Sequence, residues 1–281
     1  MVDQKITELD ELTTPVSTDL IPIVEDPGGT PKTEKITLER LGLTNGWFPI
    51  TKTLVYAAAD DPTFTFTIAA FDATAQLSPG MKIKLTNATV KYFIITKVVF
   101  DDPGSTITVY GGTDYNLVDA AITSPFYSTQ KAPLDFPLDP DKWTVELKDT
   151  GNRTQNAPVI ATWYNLGSIS IDIPIGCWRV YYEVLLRSNH TSDYSAIAAT
   201  LSTANNSESD ADWTVRHYMY FGDEATVAQG MTTVFRENII NLATKDTYYL
   251  NAQVPTGTNA TDIYFRGDYS PTIIRAVCAY L

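Results

Sequence analysis

The feature that most constrains the fold is the alternation of side chains between Cys177 and Leu186. One phase of this run is entirely apolar or aromatic: Trp178, Val180, Tyr182, Val184 and Leu186. The other phase is mixed and includes Arg179, Tyr181 and Glu183. Because successive side chains of a strand point to opposite faces, this run predicts a β-strand with one buried face. Such a strand is typical of an antiparallel sheet that packs one face on a core.

Shorter runs repeat the two-residue period and are separated by turn-forming residues. They are Phe64–Ile68, Met81–Leu85, Lys91–Val99, Thr106–Tyr110, Ser168–Ile173, Trp213–Phe221, Thr247–Val254, Ile263–Arg266 and Ile273–Leu281. Thr, Tyr, Val and Ile dominate the composition, which favours strands over helices. We therefore predict an all-β fold, with a small β-barrel-like middle domain and a C-terminal antiparallel β-sandwich.

The N-terminal segment from Ile6 to Leu41 is too short to bury a core of its own, and four prolines interrupt it. Its apolar residues are nevertheless too many for a solvated tail: Ile6, Leu9, Leu12, Leu20, Ile21, Ile23, Val24, Ile36, Leu38 and Leu41. We interpret the segment as a docking element. Within it, Leu20–Val24 and Lys35–Leu38 are expected to pair as a hairpin, and a helical turn is expected after Thr7.

Two turn-rich stretches suggest where the domains begin and end. The turn-forming pair Asn45-Gly46 follows the docking segment. Residues 131–140 contain three prolines, which is typical of a stiff linker. The predicted organisation is a docking segment at 1–46, a small β domain at 47–134 and a β-sandwich at 135–281.

Several phrases of the N-terminal segment resemble the leader of tailed-bacteriophage virion proteins such as tail fibres and head fibres. They are Ile6-Thr7-Glu8-Leu9, Thr13-Thr14-Pro15, Thr18-Asp19-Leu20, Pro22-Ile23-Val24, Asp26-Pro27-Gly28 and Lys35-Ile36-Thr37-Leu38. In the middle domain, the run from Gly80 to Val98 is similar to a module of phage structural proteins. The resemblance implies that the leader docks on other virion proteins of the capsid or tail, while the rest faces outward. It also implies a virion location after synthesis in the host cytoplasm.

The C-terminal half has a Pro-x-Gly turn at 174–176 before a Tyr-rich strand, then Thr247-Tyr248-Tyr249-Leu250, the step Phe265-Arg266-Gly267 and a terminal strand. This order resembles a jelly roll of the trimeric tumour-necrosis-factor or complement-globular type, which implies a homotrimer. Tyrosines occupy the outward phase of strands whose inward phase is already apolar. Outward tyrosines are common in subunit interfaces and on sugar-binding surfaces. We expect Tyr181, Tyr249 and Tyr264 to line the trimer interface. Loops rich in Asn, Ser, Thr and Asp would also suit polar contacts to a host surface glycan.

Charge and hydropathy exclude two classes of partner. The formal net charge is −13, whereas nucleic-acid contacts need clustered Lys and Arg, so we expect no nucleic-acid partner. No apolar run approaches the ~18 residues of a membrane span, and the N-terminal residues lack the basic-then-apolar pattern of a signal peptide, so we expect no membrane insertion. Cys177 and Cys278 lie in apolar runs and are expected to be buried free thiols.

The sequence contains few of the residues from which catalytic or metal sites are built. Two histidines are present, with His190 in a polar loop and His217 in the apolar phase of its strand, where we expect a core histidine. Asp-rich loops could bind calcium, but we expect these loops to be solvated turns. A phosphate-binding face could be built from Lys82, Lys84, Lys91 and Lys97, but we expect these lysines to lie on solvated strand edges.

We therefore expect a non-enzymatic fibre or spike protein without a cofactor. Two alternatives stay open at this stage. One is a capsid decoration or head-fibre protein that stabilises the particle, and the other is a carbohydrate-active depolymerase, which would need two carboxylates facing each other across a cleft.

Removing residues 1–46 tests the docking role of the leader. We expect the truncated protein to stay folded, because the leader lacks a core, and to be absent from particles grown without the intact gene. The measurement is its copy number on purified particles. Incorporation at the normal copy number would show that the leader is not the anchor.

Overall fold

The computed structural model describes residues 19–25, 32–38, 45–190, 194–220, 228–256 and 260–281. In these residues the regular elements are β-strands, apart from three single turns of 3-10 helix at Ala73–Ala75, Pro140–Trp143 and Ala211–Trp213. The prediction of an all-β protein is confirmed.

The chain divides into two compact units. The first unit contains the described residues up to Ala58 together with Thr65–Ile107 and Leu117–Pro137. The second unit contains Ala59–Phe64, Thr108–Asn116 and Leu138–Leu281. The predicted domain limits at residues 46 and 134 stay predictions.

The docking segment contains the hairpin expected from its sequence. Strand β1 (Leu20–Glu25) pairs antiparallel with β2 (Lys32–Thr37), in a register that sets Leu20 opposite Thr37. Leu38 is buried, whereas Leu20 is 51% exposed. The predicted docking residues Ile6, Leu9, Leu12 and Leu41 lie outside the described residues, as do the side chain of Ile23 and the helical turn predicted after Thr7.

Seven strands form the next sheet. They are β3 (Phe48–Pro49), β4 (Val55–Asp60), β5 (Thr63–Ile68), β6 (Lys82–Asn87), β7 (Thr89–Asp101), β8 (Gly104–Tyr110) and β9 (Thr123–Ser128). The order across the sheet is β3-β9-β6-β7-β8-β5-β4, an open path in the described residues. Its central strands carry the core, because Ile83, Leu85, Phe93 and Ile95 have no exposed surface.

The lysines of this sheet are more buried than expected. Lys82 and Lys91 are 1% and 9% exposed and lie on β6 and β7, which have a paired strand on each side. The Lys82 ammonium lies 5.5 Å from the ring centroid of Phe136, and the Lys84 ammonium lies 5.8 Å from that of Trp47. The expectation of solvated edge lysines is wrong for Lys82 and Lys91, because these strands are central and aromatic rings cover part of the sheet.

The remaining strands build two packed sheets. They are β10 (Thr144–Asp149), β11 (Asn152–Asn156), β12 (Trp163–Ile173), β13 (Gly176–His190), β14 (Tyr194–Ser202), β15 (Val215–Tyr220), β16 (Ala228–Leu242), β17 (Asp246–Gln253), β18 (Ala260–Arg266) and β19 (Thr272–Cys278). The β13 sheet consists of β10, β11, β13, β16, β18 and β19. The β17 sheet has the order β12-β17-β14-β15.

The register shows that the sandwich is a jelly roll. Strands β18 and β19 pair with successive parts of the same edge of β13, and β11 and β10 pair with β18 and β19 in turn. Each of these two pairs of strands therefore acts as one interrupted strand, and both sheets are four strands wide. At the interruption, a Cβ added to Gly267 would lie 2.6 Å from the Gly151 carbonyl oxygen, so only glycine fits this close approach.

The inward face of β13 forms the centre of the sandwich core. Trp178, Val180, Tyr182, Val184 and Leu186 are all fully buried, as their alternation predicts. The Tyr182 hydroxyl lies 3.1 Å from the carbonyl oxygen of Ala199 and 2.8 Å from that of Trp213. Burial raises the pKa of this phenol, so it stays a hydrogen-bond donor.

The two histidines occupy environments opposite to those expected. His217 is exposed, whereas His190 ends β13 and is fully buried beside the Ser188 hydroxyl. His217 does lie opposite the buried Ile197 of β14, but β15 is an edge strand and the sandwich does not cover it there. Burial lowers the pKa of His190, which favours the neutral imidazole.

Two polar residues of β17 are buried although their alternation predicts an outward position. Asn251 is fully buried, and its amide donates to the carbonyl oxygens of Ala204 and Ser207 at 3.0 and 2.8 Å. Gln253 is 6% exposed. The loop after β14 folds over this outer face, and the Asn251 amide satisfies the polar backbone of that loop.

The cysteines are free, as expected, although they differ in exposure. Cys278 is buried, whereas Cys177 is only half-buried. Neither thiol therefore contributes a covalent link to the described fold.

Replacing Tyr182 by Phe tests the link between the two sheets. We expect the free energy of unfolding to fall by about 1–2 kcal/mol, because the single O–H donor that lies between two buried carbonyl oxygens is lost. Chemical denaturation measures the change, with Tyr218→Phe on the exposed edge strand as the matched control. Equal stabilities of the two variants would contradict this role of the hydroxyl.

Candidate functional site

The structure does not bring the three predicted interface tyrosines together. Tyr181 lies on β13 and Tyr264 on β18, both on the outward face of the β13 sheet. Tyr249 lies on β17, in the other sheet of the sandwich. The outer faces of two packed sheets point in opposite directions, so Tyr249 does not share a surface with Tyr181 and Tyr264 within one chain. The trimer interface stays a prediction.

The outward face of β16 carries a row of exposed apolar side chains. Met231, Phe235 and Ile239 are 51%, 53% and 70% exposed, and we call this row the β16 stripe. The ring centroid of Tyr181 lies 5.6 Å from that of Phe235, so this tyrosine extends the stripe onto β13. Thr233 and Glu237 lie between the apolar members of the row on the same face. Large apolar side chains that are exposed together on one face mark interaction sites in soluble proteins.

Charges of both signs lie beside the stripe. Arg179 on β13 and Glu237 on β16 are exposed, and each lies next to apolar members of the stripe in the register. Neither forms an ion pair in the part of the chain that the structure describes. Arg275 and Glu146, by contrast, pair with each other on the same sheet.

A shallow pocket adjoins one end of the stripe. Its lining residues are Pro140, Arg179, Ile239, Val277, Cys278, Ala279 and Leu281. Its volume is about 350 Å³ and its lining is mainly apolar. The most exposed member of the stripe thus borders a depression on the same surface.

The other end of the same sheet face carries a hydrogen-bonded polar group that we call the Tyr264 cluster: Arg187, Asn189, Asp262 and Tyr264. The guanidinium of Arg187 lies 5.2 Å from the ring centroid of Tyr264, and its Nε donates to Asn189 Oδ1 at 3.1 Å. The Asn189 amide donates to Asp262 at 3.2 Å and lies 3.4 Å from the Tyr264 hydroxyl. The four side chains therefore hold one another in place.

An aromatic stack follows the Tyr264 cluster along the chain. Arg266 makes two hydrogen bonds of 2.8 Å with Asp268, and its guanidinium lies 3.9 Å from the ring centroid of Tyr269. The Arg266 side chain is 7% exposed, whereas Tyr269 is 67% exposed. The hydrogen bonds from Arg266 lower the pKa of Asp268, and the charge of Arg187 lowers it further.

Neither the β16 stripe nor the Tyr264 cluster was predicted as a site. The strand Ala228–Leu242 escaped detection because its inward phase includes Thr232, Arg236 and Asn238, so the alternation is not clear. Tyr264 was singled out for its outward phase, but its partners are distant in sequence and meet only through strand pairing.

The described residues show no group of three or more His, Cys, Asp or Glu side chains arranged to hold a metal ion. In the same part of the chain, no helix has the length and hydropathy needed to cross a bilayer. His190 and His217 lie in different sheets, so the structure does not join them in one site.

No protein-family model and no curated protein matches this chain. Among solved structures, it is similar to dimeric latent PorU from Porphyromonas gingivalis, with 9% identity, a TM-score of 0.27 and coverage of 83% of this chain. The chain spans only 24% of the PorU chain.

Two structures from infectious bursal disease virus are also similar. The Gx strain structure has 10% identity and a TM-score of 0.26, covering 92% of this chain and 68% of the other. The VP2 subviral particle has 10% identity and a TM-score of 0.20, covering 90% and 67%. These TM-scores are too low to carry a functional conclusion.

Replacing Asp268 by Asn tests the ion pair with Arg266. Because the folded-state pKa of Asp268 is lowered, its ionised form stabilises the fold above the unfolded pKa of about 3.9. We expect the variant to have the lower melting temperature at about pH 7, with the difference disappearing as the pH falls below the unfolded pKa and through the lowered folded-state pKa of Asp268. Melting curves across this range measure it, with Asp119→Asn as the exposed control. A pH-independent difference would contradict the role of the charge.

Proposed function

We propose that this protein is a homotrimeric structural component of a tailed-bacteriophage virion, a fibre or spike anchored through its N-terminal segment. The observation that carries the proposal is the β16 stripe, an apolar row left uncovered on an otherwise complete sandwich. The phage assignment itself is supported by the resemblance of the leader phrases. The proposed role is assembly and host contact through the jelly roll, without catalysis.

The leader hairpin supports the anchoring role. Strands β1 and β2 pair only with each other in the described residues, and a two-stranded hairpin is marginally stable alone in water. Leu20 remains half exposed although it lies in the paired region. A protein surface on the particle that covers Leu20 would supply the apolar contact that the hairpin lacks.

The β16 stripe supports self-association. Burying an apolar side chain such as Phe235 or Ile239 contributes about 1.5–3 kcal/mol, so several copies of such contacts can hold subunits together. A closed ring gives every subunit the same contact and leaves no stripe exposed. The exposed Arg179 and Glu237 have opposite signs, so a neighbouring subunit meets charges of both signs beside the stripe rather than a surface of one sign.

The proposed contact differs in one respect from the interface expected from the sequence. It includes Tyr181, which packs against Phe235, and it leaves out Tyr249, which lies in the other sheet. Tyr264 shares the sheet face with Tyr181 but lies opposite Arg187, about 20 Å further along β13 at roughly 3.3 Å per residue. Threefold symmetry comes from the resemblance to trimeric jelly rolls.

The double substitution Phe235→Asp and Ile239→Asp in the full-length protein tests the interface. We expect wild-type protein to be a trimer and the variant to be a monomer with an unchanged circular dichroism spectrum, because both side chains are already exposed within one chain. Sedimentation velocity measures the mass, and Tyr218→Asp, on the exposed edge of the other sheet, is the matched control. A trimeric variant would move the interface elsewhere, and a dimeric wild type would contradict threefold symmetry.

A further inference from the structure

We propose that the Tyr264 cluster and the adjacent Arg266–Tyr269 stack form a binding site for a neutral sugar ring of a glycan. The proposal adds a ligand class and a location to the outward-facing jelly roll, and it rests on that proposed function for its biological setting. Its chemical basis is a rigid exposed aromatic ring next to planar polar side chains that are already ordered.

The aromatic part of the site is Tyr269. One face of its ring packs on the guanidinium of Arg266, which Asp268 fixes through two hydrogen bonds. The ring is held from beneath but remains 67% exposed. The C–H groups on one face of a pyranose are apolar and slightly positive, and they complement the negative face of an aromatic ring.

The polar part of the site is the Tyr264 cluster. Asn189 is 8% exposed, and its side chain bridges Arg187, Asp262 and Tyr264. Sugar hydroxyl groups donate and accept at once, so they suit a surface that presents carboxylate oxygens beside N–H and O–H donors. Because these groups are ordered before binding, little side-chain entropy is lost when a ligand arrives.

Strand β11 extends the polar surface across the sheet. The register sets its exposed residues Asn152, Thr154 and Asn156 opposite Arg266, Tyr264 and Asp262, respectively. Asn and Thr side chains can each donate and accept hydrogen bonds. The face thus offers room and polar groups for more than one sugar unit.

The charge balance favours a neutral ligand. The two arginines of the site are matched by two aspartates, and Arg266 is already engaged by Asp268. An anionic ligand would gain no net local attraction and would approach a chain of formal charge −13. A neutral hexose or N-acetylhexosamine meets neither obstacle.

The sugar site and the β16 stripe lie on one sheet and meet at a single point, because Arg187 of the cluster is opposite Met231 of the stripe in the register. Phe235 and Ile239 lie further along β16, opposite Glu183 and Arg179. Strand β13 separates β16 from the β18 strand that carries Tyr264. The substitutions that test self-association therefore change side chains that do not belong to the sugar site, and the two proposals can fail independently.

Saturation-transfer NMR on the full-length protein tests the site. The probes are the methyl glycosides of glucose, galactose, mannose and N-acetylglucosamine, with methyl glucuronide as the anionic probe. We expect transfer to the axial C–H protons of at least one neutral glycoside and none to the glucuronide. Tyr269→Ala should weaken binding about tenfold or more, whereas Tyr269→Phe should preserve it because the ring remains.

Two further variants provide a second test of the site and a matched control. Asp262→Ala, which removes a hydrogen-bonding carboxylate, should also weaken binding and covers the case in which Tyr269→Ala fails to fold. Tyr218→Ala removes an equally accessible tyrosine from the other sheet and should bind like wild type. Absence of transfer to every neutral glycoside, preference for the glucuronide, or full binding by Tyr269→Ala and Asp262→Ala would each overturn the proposal. None of these outcomes bears on trimer formation or on leader-dependent incorporation.

Discussion

Strand β13 has paired neighbours on both sides, and its inward side chains hold the two sheets of the sandwich together. Every residue from Gly176 to His190 has a partner on β16, while β18 and β19 occupy the other edge. The Tyr182 hydroxyl carries this link across the core to backbone carbonyls at Ala199 and Trp213. Because a buried strand of this length allows no change of register without moving Trp178 or Leu186 to the surface, it also fixes what its outward face presents.

The outward face of the β13 sheet has an apolar part and a polar part, which the strands on either side of β13 supply. On the β16 side the neighbours are exposed apolar residues, and on the β18 side they are Tyr264, Asp262 and their hydrogen-bonded partners. An apolar row on an edge strand is a liability for a solitary protein, since it invites uncontrolled association. A polar network held by its own hydrogen bonds carries no such liability and can remain open to solvent.

Sequence periodicity predicted β13 because both of its phases are unambiguous, and it predicted the leader hairpin from turn residues between two β-prone runs. It missed β16, whose inward phase contains Arg236 and Asn238, since a sheet edge tolerates polar groups in that phase. It misplaced His190 and His217 because alternation shows the phase of a residue but not whether a second sheet covers it. The Tyr264 cluster joins residues 187–189 to residues 262–264, and such a meeting depends on strand order, which periodicity does not contain.

Net charge limits how such a surface can associate. At −13 per chain, like charges oppose any close approach of two copies, and this opposition extends over the Debye length of about 8 Å at physiological ionic strength. Charges beyond that distance are screened, so the groups nearest the contact decide whether the electrostatic interaction between the two copies is attractive or repulsive. Beside the β16 stripe those groups include Arg179 as well as Glu237, so charges of both signs lie next to this surface although the chain as a whole is acidic. Association through this surface can thus proceed from apolar burial, while the acidic remainder of the chain opposes contacts made anywhere else.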